Sequence, residues 1–385
     1  MVETAKKKLS PLSIAGIVCS VVAAAGIVFW MIQLSGGMVQ TGMRNLDSWG
    51  LYITCFMFFV GLSAGGLIIS SMPKAFGIQG FGNISKIAVW TAISCTCAAI
   101  GFVVVDLGGP QRLWELFAYS NLSSPLMWDI IVISVYLILS IVLIWAMYGE
   151  GKGKVSHTAL RVLSVVSLVT AVLVHSVTAW IFGLQISHEF WYTALLGPWF
   201  VSSALVCGTA LVLIVAIALR KAGRIELGQE NIVKMTKLLG GFIMVDLYFF
   251  GCDLLTSAFP QGSGLEVVQM LVEGPLAPFF WTEIIGCAVA AVICFVPSLR
   301  KNGLLVVASA LAIVGIFCKR VQLLVGGFQI ANIDSIAVTG PYATTANTVG
   351  GLVYWPTGIE FMVTLGVVAL GGAILCFGLD KITRK

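Results

Sequence analysis

Ten apolar runs, each about 20 residues or longer, divide this chain into segments joined by short polar links. They cover roughly 11–33, 48–72, 84–107, 126–148, 158–184, 196–220, 232–258, 275–297, 303–325 and 357–379. A run of that length crosses the hydrocarbon core as a helix, the structure that pairs every backbone N–H and C=O within one segment. The expected fold class is an all-α integral membrane protein with ten transmembrane helices. Composition agrees, because only 10% of residues are charged, against about 25% in a soluble domain. The net charge of +5 sits in the links and does not form a patch for nucleic acid. The lipid bilayer is the partner that composition names.

Charge sets the orientation. Eighteen of the 22 basic residues lie in the tails and in alternate links, from Lys6, Lys7 and Lys8 through Arg220, Lys221 and Arg224 to Lys381, Arg384 and Lys385. The other set of links holds Arg44 and Arg112, while Lys319 and Arg320 lie inside the ninth run. The excess of Lys and Arg on one side places both termini in the cytoplasm. The first run begins "KKKLSP" and continues past a possible cleavage site, so it is expected to be a retained helix.

Ten cysteines all fall within apolar runs, and none forms a C-x-x-C pair. They read as small packing residues, not as ligands of zinc or of an iron–sulfur cluster. Of His157, His175 and His188, only His175 is deep in a run. A haem held across a bundle usually takes two axial side chains, so no haem is expected.

The chain also resembles itself. "SPLMWDII" (Ser124–Ile131) returns as "APFFWTEII" (Ala277–Ile285), "VGLSAGG" (Val60–Gly66) as "VSSALVCG" (Val201–Gly208), and "VVVDL" as "IMVDL". The pairs occur in order and four runs apart, so both copies share one orientation. The pattern predicts two parallel four-helix bundles, runs 2–5 and 6–9, with one peripheral helix at each end of the chain. Expected units are 1–47 (tail, first helix and link), 48–195, 196–345 and 346–385.

Several motifs carry a wider resemblance. They are "WGLYITCFMFFVGLSAGGL" (Trp49–Leu67), "DLGGPQRLWELF" (Asp106–Phe117), "NLSSPLMWD" (Asn121–Asp129), "HSVTAWIF" (His175–Phe182), "GPLAPFFW" (Gly274–Trp281), "GIFCKR" (Gly315–Arg320) and "YWPTGIEFMVTLG" (Tyr354–Gly366). On these the chain resembles the NrfD/polysulfide-reductase membrane-subunit family, over most of its length. The resemblance implies a membrane anchor in a bacterial or archaeal cell (inner) membrane. Such a subunit binds quinol, menaquinone or ubiquinone, as substrate and holds no haem, metal or cluster. It passes electrons to or from a four-cluster ferredoxin-like iron–sulfur subunit on the outer face. That subunit serves a molybdopterin catalytic subunit or, alternatively, a multihaem cytochrome.

Ionisable groups at membrane depth cost about 2.5–3.5 kcal/mol each and need a partner, water or a ligand. His175 and Asp106 both belong to the outer half. An imidazole has the right ordinary pKa to take a phenolic proton, and a carboxylate can orient it. His175 is therefore expected to contact a quinol oxygen with Asp106 as its relay. Tyr52, Trp49, Asp129 and Arg112 are candidates for the same cavity, with Arg112 able to pair with Asp106 or Asp129. In the second bundle Asp246, Asp253, Glu283, Lys319 and Arg320, with Glu360, form either structural ion pairs or a proton route. The links 108–125 and 326–356 are expected to dock the iron–sulfur subunit, with Pro110 and Pro125 stopping the helices at the surface. The rival class is a ten-helix secondary transporter, which would bring no iron–sulfur protein with it.

Overall fold

The structure, a computed structural model, describes residues 9–44, 47–76, 82–186, 188, 190–260, 262–329 and 354–384. Most of the expected docking link 326–356 lies outside the described residues. Twelve α-helices follow in order: α1 (Pro11–Gly36), α2 (Leu51–Phe76), α3 (Gly82–Asp106), α4 (Glu115–Ala118), α5 (Pro125–Glu150) and α6 (His157–Gly183). Then come α7 (Leu196–Lys221), α8 (Gln229–Ala258), α9 (Ser263–Val272), α10 (Ala277–Phe295), α11 (Asn302–Gln329) and α12 (Gly358–Thr383). Ten of them, all but α4 and α9, are long and apolar enough to cross a membrane. The protein is an all-helical, multi-pass integral membrane protein.

The helix starts follow local chemistry. Pro11 and Pro125 occupy first-turn positions, where no N–H is needed. Ser10 and Ser156 cap α1 and α6 by accepting from Ser13 N and Ala159 N. At α12, Thr357 and Glu360 form a reciprocal capping box.

α2 and α7 form the centre, packed on one another along a seam of small residues. A Cβ on Gly65 would stand 2.3 Å from Ala204 O, and one on Gly208 would stand 2.4 Å from Gly65 Cα. Glycine lets the two backbones touch there. On one side α2 packs on α3 and α6, α3 on α5, and α5 on α6. On the other, α7 packs on α8 and α11, α8 on α10, and α10 on α11. The neighbour relations within the two groups are the same, as a parallel repeat requires.

The two end helices pair with each other. α1 lies along α12, and α12 lies along α3. Gly26 and Gly366 meet at this crossing, where a Cβ on either would fall within 2.5 Å of the other's Cα. Ser10, Ser13, Arg224 and Arg384 all donate to Asp380 and tie this pair to the α7–α8 link.

The polar link between α3 and α5 contains α4 and borders a groove of about 590 Å³ lined by Leu107, Arg112, Leu116, Tyr119, Leu126 and Ile130, among others. α9 was not expected from sequence. Its buried Val267 and Leu271, four residues apart, are one helical turn of apolar face.

Candidate functional site

Three polar clusters occupy the half of the bundle that ends at the basic-poor links. The first runs along one face of α6. His175, Thr178 and Phe182 follow at helical spacing, and all are buried. Thr178 Oγ1 donates to Asp129 Oδ1 of α5 at 2.6 Å. His175 stands one turn deeper, and its Nδ1 has no hydrogen-bond partner among the described residues. A Cβ on Gly61 of α2 would lie 3.8 Å from His175 Nε2 and 3.2 Å from Cys207 Sγ of α7. Above them, Trp49 packs edge-on to Phe182 at 5.8 Å, and Phe182 to Trp191 at 5.2 Å. Phe328 of α11 closes the ring from 5.0 Å. The column therefore reads, from surface to depth, aromatic cap, carboxylate with hydroxyl, and imidazole.

The second cluster holds buried charges. Lys319 of α11 pairs with Asp246 of α8 and, at 3.1 Å, with Glu283 of α10. Ser202 donates to Asp246 at 2.9 Å, and Gln322 to Glu283 at 2.9 Å. The Lys319 ammonium also lies 4.6 Å from the Trp199 ring centre. These partners are what a buried charge requires. Asp253, seven residues along α8, is not part of this cluster. It lines a separate polar pocket with Tyr192, Thr193, Thr256 and Ser257.

The third cluster joins α1, α2, α3 and α12. Tyr52 donates to Gln33 Oε1 at 2.5 Å, and Gln33 donates to Val105 O at 3.2 Å. Glu360 accepts from Gly42 N, Thr357 N and the Tyr354 hydroxyl. Burial first, then the Glu360 charge, push the Tyr354 phenol well above its ordinary range, so it remains a donor to that carboxylate. Asp106 ends α3 beside this cluster, with its Oδ1 buried and unpartnered.

The expected pairing of Asp106 with His175 is not what the structure places together. Tyr52 and Gly61 are nine residues apart on α2, a rotation of about 180° at 3.6 residues per turn. Tyr52 faces the Asp106 cluster and Gly61 faces His175, so α2 stands between them. No hydrogen bond joins the two among the described residues. The carboxylate on the His175 side is Asp129. Arg112 pairs with neither Asp106 nor Asp129. It forks onto Glu115 with two bonds of 2.9 Å and is exposed. That contact raises the Arg112 pKa and holds the Glu115 carboxyl below its usual range. Glu360 serves as a helix cap and sits with α1, α2 and α3, away from the charges of α8, α10 and α11. Thr178 and Gln322, which sequence reading missed, each stand three residues after a singled-out residue, His175 and Lys319. That spacing puts them on the same helix face.

Among the described residues, no group of three or more His, Cys, Asp or Glu is arranged to hold a metal ion. Comparison with known proteins gives one family match, to polysulphide reductase NrfD, over residues 39–332. The chain is 31% identical to a putative dimethyl sulfoxide reductase membrane subunit of Halobacterium salinarum, covering 94% of this sequence and 89% of that one. It is 26% identical to the Hdr-like menaquinol oxidoreductase integral membrane subunit of Archaeoglobus fulgidus, covering 94% and 91%. A polysulfide reductase membrane-family relative from Wolinella succinogenes is 22% identical, over 77% of this sequence and 98% of its own length.

Proposed function

This chain belongs to the NrfD polysulphide reductase family, and from that premise we propose that it is the quinol-binding membrane subunit of a respiratory oxidoreductase complex. It exchanges electrons between the quinone pool and an iron–sulfur partner on the basic-poor face, which the charge rule makes the outer one. A four-cluster ferredoxin-like subunit with a molybdopterin catalytic subunit fits relatives named for dimethyl sulfoxide and polysulfide reductases. A relative named for menaquinol oxidation favours menaquinol as the substrate. Family membership sets the carrier reading aside.

The observation that carries the site is the α6 column. A buried imidazole with an unspent Nδ1 faces away from its own backbone ladder, one turn below a carboxylate already held by Thr178. Quinol oxidation releases two electrons and two protons. His175 takes a phenolic proton, and Asp129 stands on the path toward the surface. Trp49 and Phe182 supply aromatic faces for the ring. Tyr52, Asp106 and Glu360 lie across α2 and brace the outer ends of α1, α3 and α12. The Asp246–Lys319–Glu283 group is closed by its own ion pairs and serves the packing of α8, α10 and α11. Arg112, exposed beside α4, belongs to the surface that meets the partner subunit.

The test is His175→Ala in the assembled complex. Quinol-dependent reduction of the partner is expected to fall at least 100-fold, within the range for losing a general base. An artificial electron donor to the partner should still work. Unchanged quinol turnover would remove His175 from the reaction.

A further inference from the structure

Arg320 is a buried cation without an assigned task. It is 1% exposed and follows Lys319 on α11. Asp246, Glu283 and Lys319 make their ion pairs among themselves, and among the described residues no ion pair includes Arg320. Its guanidinium stacks on the Phe200 ring at 3.8 Å and donates one hydrogen bond, to Ser203 Oγ at 2.5 Å. The Nε–H has no acceptor. A guanidinium carries five N–H donors in a fixed fork, and burying it unpaired at this depth is expensive.

Charge balance accounts for its sign only. The Asp246–Lys319–Glu283 group carries one excess negative charge when both carboxylates are ionised, and the fields of Asp246 and Glu283 reach Arg320. That does not use the free Nε–H. The direction in which Arg320 is unspent is more informative. Its charge also acts on His175 of α6 and on Cys207 of α7. Cys207 and His175 share the wall opposite Gly61. Two buried nitrogens without partners, Arg320 Nε–H and His175 Nδ1, thus approach one region from the two halves of the molecule. One is a permanent donor, and the other exchanges a proton. An oxygen that begins as a phenol and ends as an anion suits both.

We propose that Arg320 is a second protein contact of the quinol ring, donating from its guanidinium to a ring oxygen and holding that oxygen deprotonated. This rests on the quinol reading of the His175 column. In the step concerned, the phenolic O–H bond breaks and an N–H bond forms on His175. The electron pair stays on the ring oxygen, whose negative charge faces the guanidinium. No electron leaves the ring in this step. Groups that face Arg320 and His175 from the surrounding helices are Cys207 of α7, Asp246 of α8, Glu283 of α10, Lys319 of α11 and, one turn above, Asp129 of α5. α2 presents only Gly61 there.

The experiment uses the assembled complex with Arg320→Gln, Arg320→Lys and, in parallel, His175→Ala. Two readouts are taken: binding of a hydroxyquinoline N-oxide, a quinol analogue with an ionisable ring oxygen, and the pH profile of quinol oxidation. Arg320→Gln should weaken the analogue at least tenfold and move the profile to higher pH, because a ring oxygen without a cation gives up its proton less readily. Arg320→Lys keeps the charge but not the fork. It should leave the profile in place and raise KM. A merely structural role would lower the yield of assembled complex and leave the pH profile of the surviving fraction unmoved. An unmoved profile with unchanged analogue binding in Arg320→Gln, alongside loss of turnover in His175→Ala, overturns the role of Arg320 and keeps the site. If His175→Ala is also silent, the quinol site itself is misplaced. Where Arg320→Gln does not assemble, a Lys variant whose profile shifts alkaline contradicts the proposal on its own.

Discussion

Lys319 is the residue on which the buried carboxylates of the second half depend. It touches both Asp246 and Glu283, and all three are at most 3% exposed. Lys319→Met should leave two acids facing one another without a cation and cost about 3–5 kcal/mol, the usual result of breaking a buried pair from one side. The melting temperature of the purified complex checks this, and an unchanged value would show that the carboxylates are already neutral. The pairing itself was legible, since opposite charges in adjacent apolar runs have few other partners. Arg112 and Glu360 were misassigned for a shared reason. Each has a nearer, local partner, Glu115 three residues on and Thr357 three residues back, and the T-x-x-E spacing of a capping box is readable in "TGIE". The separation of Asp106 from His175 was not legible, because it depends on which face of α2 meets which neighbour.

Among the elements, the α1–α12 pair stands apart. The family match over 39–332 begins after α1 and ends before α12, and these two helices pack on each other along their length. Their crossing depends on Gly26 and Gly366. Gly366→Leu forces the backbones apart and should cost about 1–3 kcal/mol, as overpacking does. Gly251→Leu on α8, where a Cβ would meet nothing within 4 Å, is the control. Thermal melting should separate the two variants, and equal behaviour would mean that the pair is only loosely held. All ten long helices were visible as apolar runs of spanning length. Helices α4 and α9 were not, because short helices in links lack a run long enough to show a period.

For the whole molecule, repeat and orientation together decide where a partner can dock. The neighbour relations among α2, α3, α5 and α6 recur among α7, α8, α10 and α11, which supports the parallel arrangement read from the motif pairs. Orientation is tested by single cysteines on exposed links. Val39→Cys should react with an impermeant maleimide in intact cells, and Lys152→Cys only in inverted vesicles. The reverse pattern would put the iron–sulfur partner on the other face and remove the outer-face reading.

The most direct measurement places the ring. The assembled complex is illuminated with an azido-menaquinone, and the labelled peptides are mapped. A ring seated in the α6 column labels the segments around His175, Gly61 and Cys207, and His175→Ala reduces that labelling. Label confined to the outer ends of α1, α3 and α12, around Gln33, Asp106 and Tyr354, would contradict it.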